Sequence, residues 1–261
     1  VGAATISATL DDNDFYTATA ISQSINVTLI QQTISFGSIK TTYVYGDSGE
    51  TISVSDAETT VTYGSTKEDV ATIHPTTGLI TINKAGSFKV TARAAAGGNY
   101  AQSDLITSNT ITVEKKPVEL TYATTSINNK KYGDSNFTNP LTITGGVTGG
   151  QVVPVTYESS DTDVAIVNNS GEVTIIKPST GSVTITAKLD TTNDYYKYDT
   201  DKSDVTYSLT INKKTVILSW VTTPSGAQVG ATPQTIQAEI SSGLVSGGAS
   251  APSITYESDK P

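Results

Sequence analysis

Gly181-Ser182-Val183-Thr184-Ile185-Thr186-Ala187-Lys188-Leu189 is the stretch that decides the fold. Apolar side chains stand at every second position from Val183 to Leu189, with threonine or lysine between them. A period of two places one set on each face of a pleated strand, so Ile185, Ala187 and Leu189 are expected to face a core. The threonines suit the other face, because a branched Cβ fits the pleat and the hydroxyl tolerates water. Threonine fills 45 of the 261 positions, far above ordinary usage, and no stretch has a persuasive 3.6-residue period. Strands of this kind, separated by Gly, Asn, Asp and Pro turns, predict an all-β chain of antiparallel β-sandwiches.

Outward from this stretch the chain repeats itself. Gly181–Ala187 matches Gly86-Ser87-Phe88-Lys89-Val90-Thr91-Ala92 and Gly2-Ala3-Ala4-Thr5-Ile6-Ser7-Ala8, and each copy reaches a tyrosine 14 residues after its glycine, at Tyr195, Tyr100 and Tyr16. Each then runs through an alternating strand to a polar doublet: Gln31-Gln32, Lys115-Lys116 and Lys213-Lys214. A second motif, Tyr45-Gly46-Asp47-Ser48, recurs as Tyr132-Gly133-Asp134-Ser135 and decays to Val229-Gly230-Ala231-Thr232. Further on, Val61-Thr62-Tyr63 matches Val155-Thr156-Tyr157 and Ile254-Thr255-Tyr256. Self-similarity at such a period marks a tandem array. Cutting at the doublets predicts a partial repeat over 1–32, whole repeats over 33–116 and 117–214, and a second partial repeat over 215–261. The partial repeats supply too few strands to close a core, so both ends are expected to be cut points in a longer array, open to end-to-end association.

Composition removes several classes of function. A net charge of −9 with only 16% charged residues disfavours nucleic acid as a partner. No run approaches the roughly 18 apolar residues of a spanning helix. The absence of cysteine excludes disulfides, thiolate zinc sites and cysteine nucleophiles within the chain. His74 is the only histidine, so neither a serine-histidine triad nor an imidazole-based zinc site can be assembled from one chain.

The run Tyr157–Val167, then Ser170-Gly171-Glu172-Val173, then Gly181–Ala187, resembles the bacterial immunoglobulin-like (Big, group 2-like) domain pattern. The Tyr-Gly-Asp-Ser segments, with the Asn99-Tyr100 and Asp194-Tyr195 turns, look like the related Tyr-Gly-type tandem repeats of bacterial surface adhesins. The resemblance implies tandem immunoglobulin-like antiparallel β-sandwiches that are extracellular, stacked in series and serve as stalks or adhesive modules. Linkers as short as Lys115-Lys116-Pro117 leave little room to fold back, and an elongated rod is the expected arrangement.

The candidate chemistry is sparse. Gly46, Gly133 and Gly230, like Gly78 and Gly171, read as turn glycines, since no helix follows to make a phosphate cradle. Carboxylates cluster at Asp11-Asp12-Asn13-Asp14 and at Asp190 and Asp194, where a calcium ion could be held, but the matching loop Ala95–Asn99 has no acid. A solvated turn is the simpler reading, as Asp and Asn are favoured turn residues. His74 falls where the next repeat has Asn168 and reads as a polar loop position. Tyr195-Tyr196-Lys197-Tyr198-Asp199 with Tyr207 is either a sugar-stacking platform or a strand whose alternate tyrosines pack inward. Gly145-Gly146-Val147-Thr148-Gly149-Gly150, part of a seven-residue insertion, reads as a flexible loop or a binding tip. No catalytic, metal or cofactor site is assigned, and no enzymatic activity is expected. The expected role is a structural stalk or adhesion module of a bacterial cell-surface protein, whose partners are neighbouring repeats and a host or cell-surface glycan or protein. A glycan-binding sandwich, or an accessory region of a secreted enzyme or virion fibre, is the alternative.

Overall fold

Alternating apolar residues throughout the chain form strands, and the computed structural model, which describes residues 1–222 and 225–258, contains no helix among them. The chain divides into two compact units, the first made of Val1–Lys116 with Val147–Gln151 and Asp194–Tyr196, the second of the remaining segments.

In the first unit β1 (Gly2–Ala8) and β2 (Ile21–Val27) form an antiparallel hairpin in which every residue is exposed. The core begins after it, with β3 (Ser35–Phe36), β4 (Thr42–Val44), β5 (Val54–Ser55), β6 (Val61–Ser65), β7 (Ala71–Ile73) and β8 (Ile80–Ile82). β9 (Gly86–Phe88), β10 (Val90–Ala94), β11 (Ile106–Thr107) and β12 (Ile111–Glu114) complete it. One sheet runs β11-β10-β6 and another β4-β12-β9, and they enclose Tyr43, Phe88, Val90, Ile111 and Val113 between them. The β7-β8 pair adds Ala71, Ile73 and Ile80. Val90, Ala92 and Ala94 are all buried along β10, as their period of two requires.

Gln32, the second residue of a polar doublet, is buried despite its polarity. Its Nε2 donates to the carbonyls of Ala101 at 2.6 Å and Ala95 at 3.1 Å, and its Oε1 accepts the Glu58 amide at 3.1 Å. One side-chain amide thus satisfies three backbone groups at an irregular sheet end.

The second unit repeats the plan with longer strands: β13 (Lys116–Tyr122), β14 (Ser126–Lys131), β15 (Phe137–Thr138), β16 (Leu141–Thr144), β17 (Val155–Ser159) and β18 (Ala165–Val167). Then follow β19 (Glu172–Ile175), β20 (Val183–Leu189), β21 (Tyr196–Tyr198), β22 (Val205–Asn212), β23 (Ile217–Thr222) and β24 (Gln237–Ser242). A four-stranded sheet β14-β22-β20-β17 packs on the β15-β19-β18 sheet through Val183, Ile185, Ala187, Leu209, Ala165 and Val173. Ile185, Ala187 and Leu189 all face inward, as the alternation in the deciding stretch predicts. The expected all-β sandwich architecture is therefore present. One matched segment differs: Ile254-Thr255-Tyr256 forms no strand, and its Tyr256 hydroxyl instead accepts the Ala238 amide at 2.9 Å beside Trp220.

The second core contains an edge-to-face pair, Tyr122 and Tyr207, with ring centroids 4.8 Å apart. Among the described residues neither hydroxyl has a hydrogen-bond partner. Burial pushes the Tyr207 phenol up to about 12 and raises Tyr122 as well, with a further push from Tyr207 and Tyr157. Between the ordinary phenol value near 10 and the raised folded values, the unfolded chain has lost protons that the folded chain keeps. The contribution of these two phenols to stability should therefore be constant below about pH 10 and fall as pH rises above it. Urea midpoints measured from pH 8 to 11.5 check this, and Tyr207→Phe should flatten the alkaline slope. A midpoint that does not move over that range would contradict the assignment.

Candidate functional site

The parallel pairing of β4 with β12 carries the chain into the Tyr45-Gly46-Asp47 turn, where the Tyr45 amide donates to the Glu114 carbonyl at 2.8 Å. The turn closes through the Asp47 amide on the Val44 carbonyl at 2.9 Å, and the Asp47 carboxylate accepts the Val44 amide at 3.0 Å. The second unit reproduces it: β14 pairs parallel with β22, and the Asp134 carboxylate accepts the Lys131 amide at 2.9 Å. Gly46 and Gly133 hold φ of 91° and 87°, which suits glycine in a type II turn. The turn reading of the Tyr-Gly motifs agrees with this geometry.

These turns are not bare. Over Tyr45 in the first unit lies the segment Val147–Gln151, whose Gln151 amide donates to the Tyr45 hydroxyl at 3.1 Å. Tyr195 and Tyr196 set their rings edge-on to Tyr45 at 5.1 and 5.6 Å. The Tyr196 hydroxyl donates to the Gln151 carbonyl at 2.6 Å and accepts the Val147 amide at 3.4 Å. Tyr196 is fully buried and Tyr207 nearly so, which takes both out of any sugar-stacking surface and fits the inward-packing alternative. Tyr198 is half-buried, its hydroxyl accepting the Leu189 amide and donating to Asp204, each at 2.6 Å. Burial, then the Asp204 hydrogen bond, push its phenol up to about 12.

The remaining candidates are engaged in local turns. His74 Nδ1 accepts the amides of Thr76 and Thr77 at 3.3 and 3.2 Å, and at the matching position Asn168 Oδ1 accepts those of Ser170 and Glu172 at 2.9 and 3.0 Å. The two side chains close corresponding turns, in which the Gly78 amide donates to the His74 carbonyl and the Gly171 amide, one residue nearer, to the Asn168 carbonyl. Asn13 accepts the Phe15 and Tyr16 amides, and Asp190 accepts the Thr192 amide and hydroxyl. Asp194 pairs with Lys84 at 3.2 Å, and Lys84 also meets Asp69 at 3.3 Å. These hydrogen bonds raise the Lys84 ammonium and lower the Asp69 carboxyl. The acidic loops are thus distributed over turns, and among the described residues no group of three or more acids and histidines gathers to hold a metal ion. Tyr16 is exposed, whereas Tyr100 and Tyr195 are half-buried, so the three repeated tyrosines do not share one role.

A signal missed in the sequence is the second copy of the glycine-rich loop. Gly243-Leu244-Val245-Ser246-Gly247-Gly248 matches Gly145-Gly146-Val147-Thr148-Gly149-Gly150 and makes the same turn, with the Gly248 amide on the Val245 carbonyl and the Gly150 amide on that of Val147, each at 3.0 Å.

No family model matches the chain, and no curated protein matches it in sequence. Several solved structures are similar to parts of the chain. Domains 4–9 of the surface layer protein SbsC are 16% identical, with 76% of this chain and 34% of that one covered and a TM-score of 0.32. Repeats EC1-2 of human protocadherin-24 are 13% identical over 69% of this chain and 97% of that one, with a TM-score of 0.27. A C-terminal fragment of intimin in complex with the intimin-binding domain of its translocated receptor is 18% identical over 72% and 67%, at 0.23.

Proposed function

We propose that the chain is a non-enzymatic stalk or adhesion module of a bacterial cell-surface protein, extracellular, whose repeats space and display a binding domain carried elsewhere in the parent protein. The repeats are taken to be 33–116 and 117–214, with partial copies at 1–32 and 215–261. The observation that carries this reading is the duplication of one plan. Matching strands bury matching residues in two cores, and the polar side chains at matching positions, His74 with Asn168 and Asp47 with Asp134, are used to close turns. A chain whose polar groups support its own loops suits a positional role. The Big and Tyr-Gly resemblance points the same way.

A display assay tests it. The chain, placed on a bacterial surface beneath a reporter binding domain, is compared with a deletion of residues 33–214 and with a replacement of them by unrelated β-sandwiches of equal length. Reporter adhesion that the deletion abolishes and the replacement restores supports a spacer. Saturable binding of the purified chain to a glycan panel, or adhesion that no unrelated spacer restores, would move the assignment to a specific binding module.

A further inference from the structure

The Tyr-Gly-Asp turns and the glycine-rich loops occur twice, and in both places they meet. In the first unit a Cβ on Gly46 would stand 2.5 Å from Val147 Cγ2, and a Cβ on Gly150 would stand 3.0 Å from the Tyr45 hydroxyl. In the second unit Gly133 faces Val245 Cγ2 and Gly248 faces the Tyr132 hydroxyl in the same manner, with closer approaches still. The two hydrogen bonds correspond too: the Gln151 amide donates to Tyr45 at 3.1 Å, and the Ala249 amide to Tyr132 at 2.7 Å. The partners lie 106 and 117 residues apart in sequence, so neither contact is a product of local chain connectivity.

Each part has a physical reason. Valine drops its two methyls onto a turn glycine, a close approach that any side chain at Gly46 or Gly133 would block. The loop's own type II turn, with Gly149 and Gly247 at φ of 71° and 67°, brings its last glycine and the following amide over the tyrosine oxygen. The phenol then gives its ring to packing and its oxygen to a backbone donor of the loop. Val229-Gly230-Ala231 keeps the turn, with the Ala231 amide on the Gln228 carbonyl at 3.0 Å, but has lost the tyrosine and the aspartate. Among the described residues nothing stands within 4 Å of a Cβ on Gly230, and Val229 is fully exposed.

We propose that the Tyr-Gly-Asp turn is a docking socket whose ligand is a Gly-x-Val-x-Gly-Gly loop, supplied here by the same chain about one repeat further on. The socket reads the loop by valine packing on glycine and by one backbone amide on the phenol oxygen. This inference does not depend on the stalk reading, because a glycan-binding module could carry the same clasp.

Residue-resolved hydrogen exchange on the intact chain tests it, with the Ala187 amide in β20 as the control for global folding. Gln151 and Ala249 should exchange well below the intrinsic rate of their sequences. Tyr45→Phe removes only the acceptor and should speed Gln151 roughly fivefold to tenfold while leaving Ala249 unchanged, the worth of one net hydrogen bond. Tyr132→Phe should do the reverse. Val147→Ala, which keeps every polar group, should also speed Gln151, and it decides the matter if a tyrosine variant folds poorly. Wild-type amides that exchange at the intrinsic rate, or rates that neither the hydroxyl nor the valine change alters, would overturn the proposal.

Discussion

Truncating Ile185 to alanine should remove about 2 to 5 kcal/mol from the second core and leave the first core's transition nearly unmoved. Ile185 is 1% exposed, lies on β20, and is flanked across the sheet by Ser159 on one side and Tyr207 on the other. β22 is held on its far side by β14, and the β15-β19-β18 sheet covers the same face, so the space left by three carbons cannot collapse easily and the upper part of the range is expected. A domain's whole stability is only about 5 to 15 kcal/mol, so the variant should sit close to unfolding at ordinary temperatures. Its counterpart Val90 is buried in a separate apolar cluster of the first unit, with which Ile185 shares no member. Calorimetry of the whole chain should show one transition moving and the other staying. Equal displacement of both would mean that the two clusters melt as one.

Gly78→Ala should cost more than Gly171→Ala, although the two glycines occupy matching turns. Both have a positive φ, 74° and 79°, which an L side chain adopts at a cost of about 1 to 2 kcal/mol. The surroundings then separate them. A Cβ on Gly78 would lie 2.6 Å from the Ile52 carbonyl oxygen, and that backbone is held in place because the Ile52 amide donates to the Gly78 carbonyl at 2.9 Å. A Cβ on Gly171 would meet the edge of the Tyr157 ring at 3.0 Å, a half-buried side chain that can turn away. The backbone overlap adds about 1 to 3 kcal/mol at Gly78 and much less at Gly171. Urea unfolding of the two variants measures the gap. Equal losses would show that conformational strain alone governs both sites.

Period-two alternation made the cores legible. Val183, Ile185, Ala187 and Leu189 could be assigned to one face from sequence because a strand's geometry leaves no other choice. The turn glycines were legible for the same reason, since Tyr-Gly-Asp carries its own local hydrogen-bonding logic. The docked loops were not. Gly145–Gly150 reads as a flexible loop or a binding tip when taken alone, because glycine-rich stretches lack the side chains that normally fix a conformation. What holds the segment is a tyrosine 106 residues earlier, and a contact of that range has no periodic signature. Only the second copy at Gly243–Gly248 could have exposed the pairing, by recurring wherever Tyr-Gly-Asp is followed by a further repeat. Gln32 was hidden differently: its residue type indicates a surface, and only the three backbone groups around it explain its burial.

The parallel ladders that join an early strand of each core to a late one bear on how the protein meets tension. β4 runs alongside β12, Thr42 to Val44 opposite Thr112 to Glu114, and β14 runs alongside β22. A pull on the two ends of such a core drags the paired strands past each other along their common axis. Every hydrogen bond of the ladder is then strained in shear at once, rather than broken singly as when a hairpin is peeled open. Rupture requires the whole ladder to yield together, and the irregularity between Ile127 and Lys130 splits that of β14 and β22 into two shorter stretches. The second core should for that reason give way in two closely spaced steps, and the first, with its uninterrupted pairs, in one.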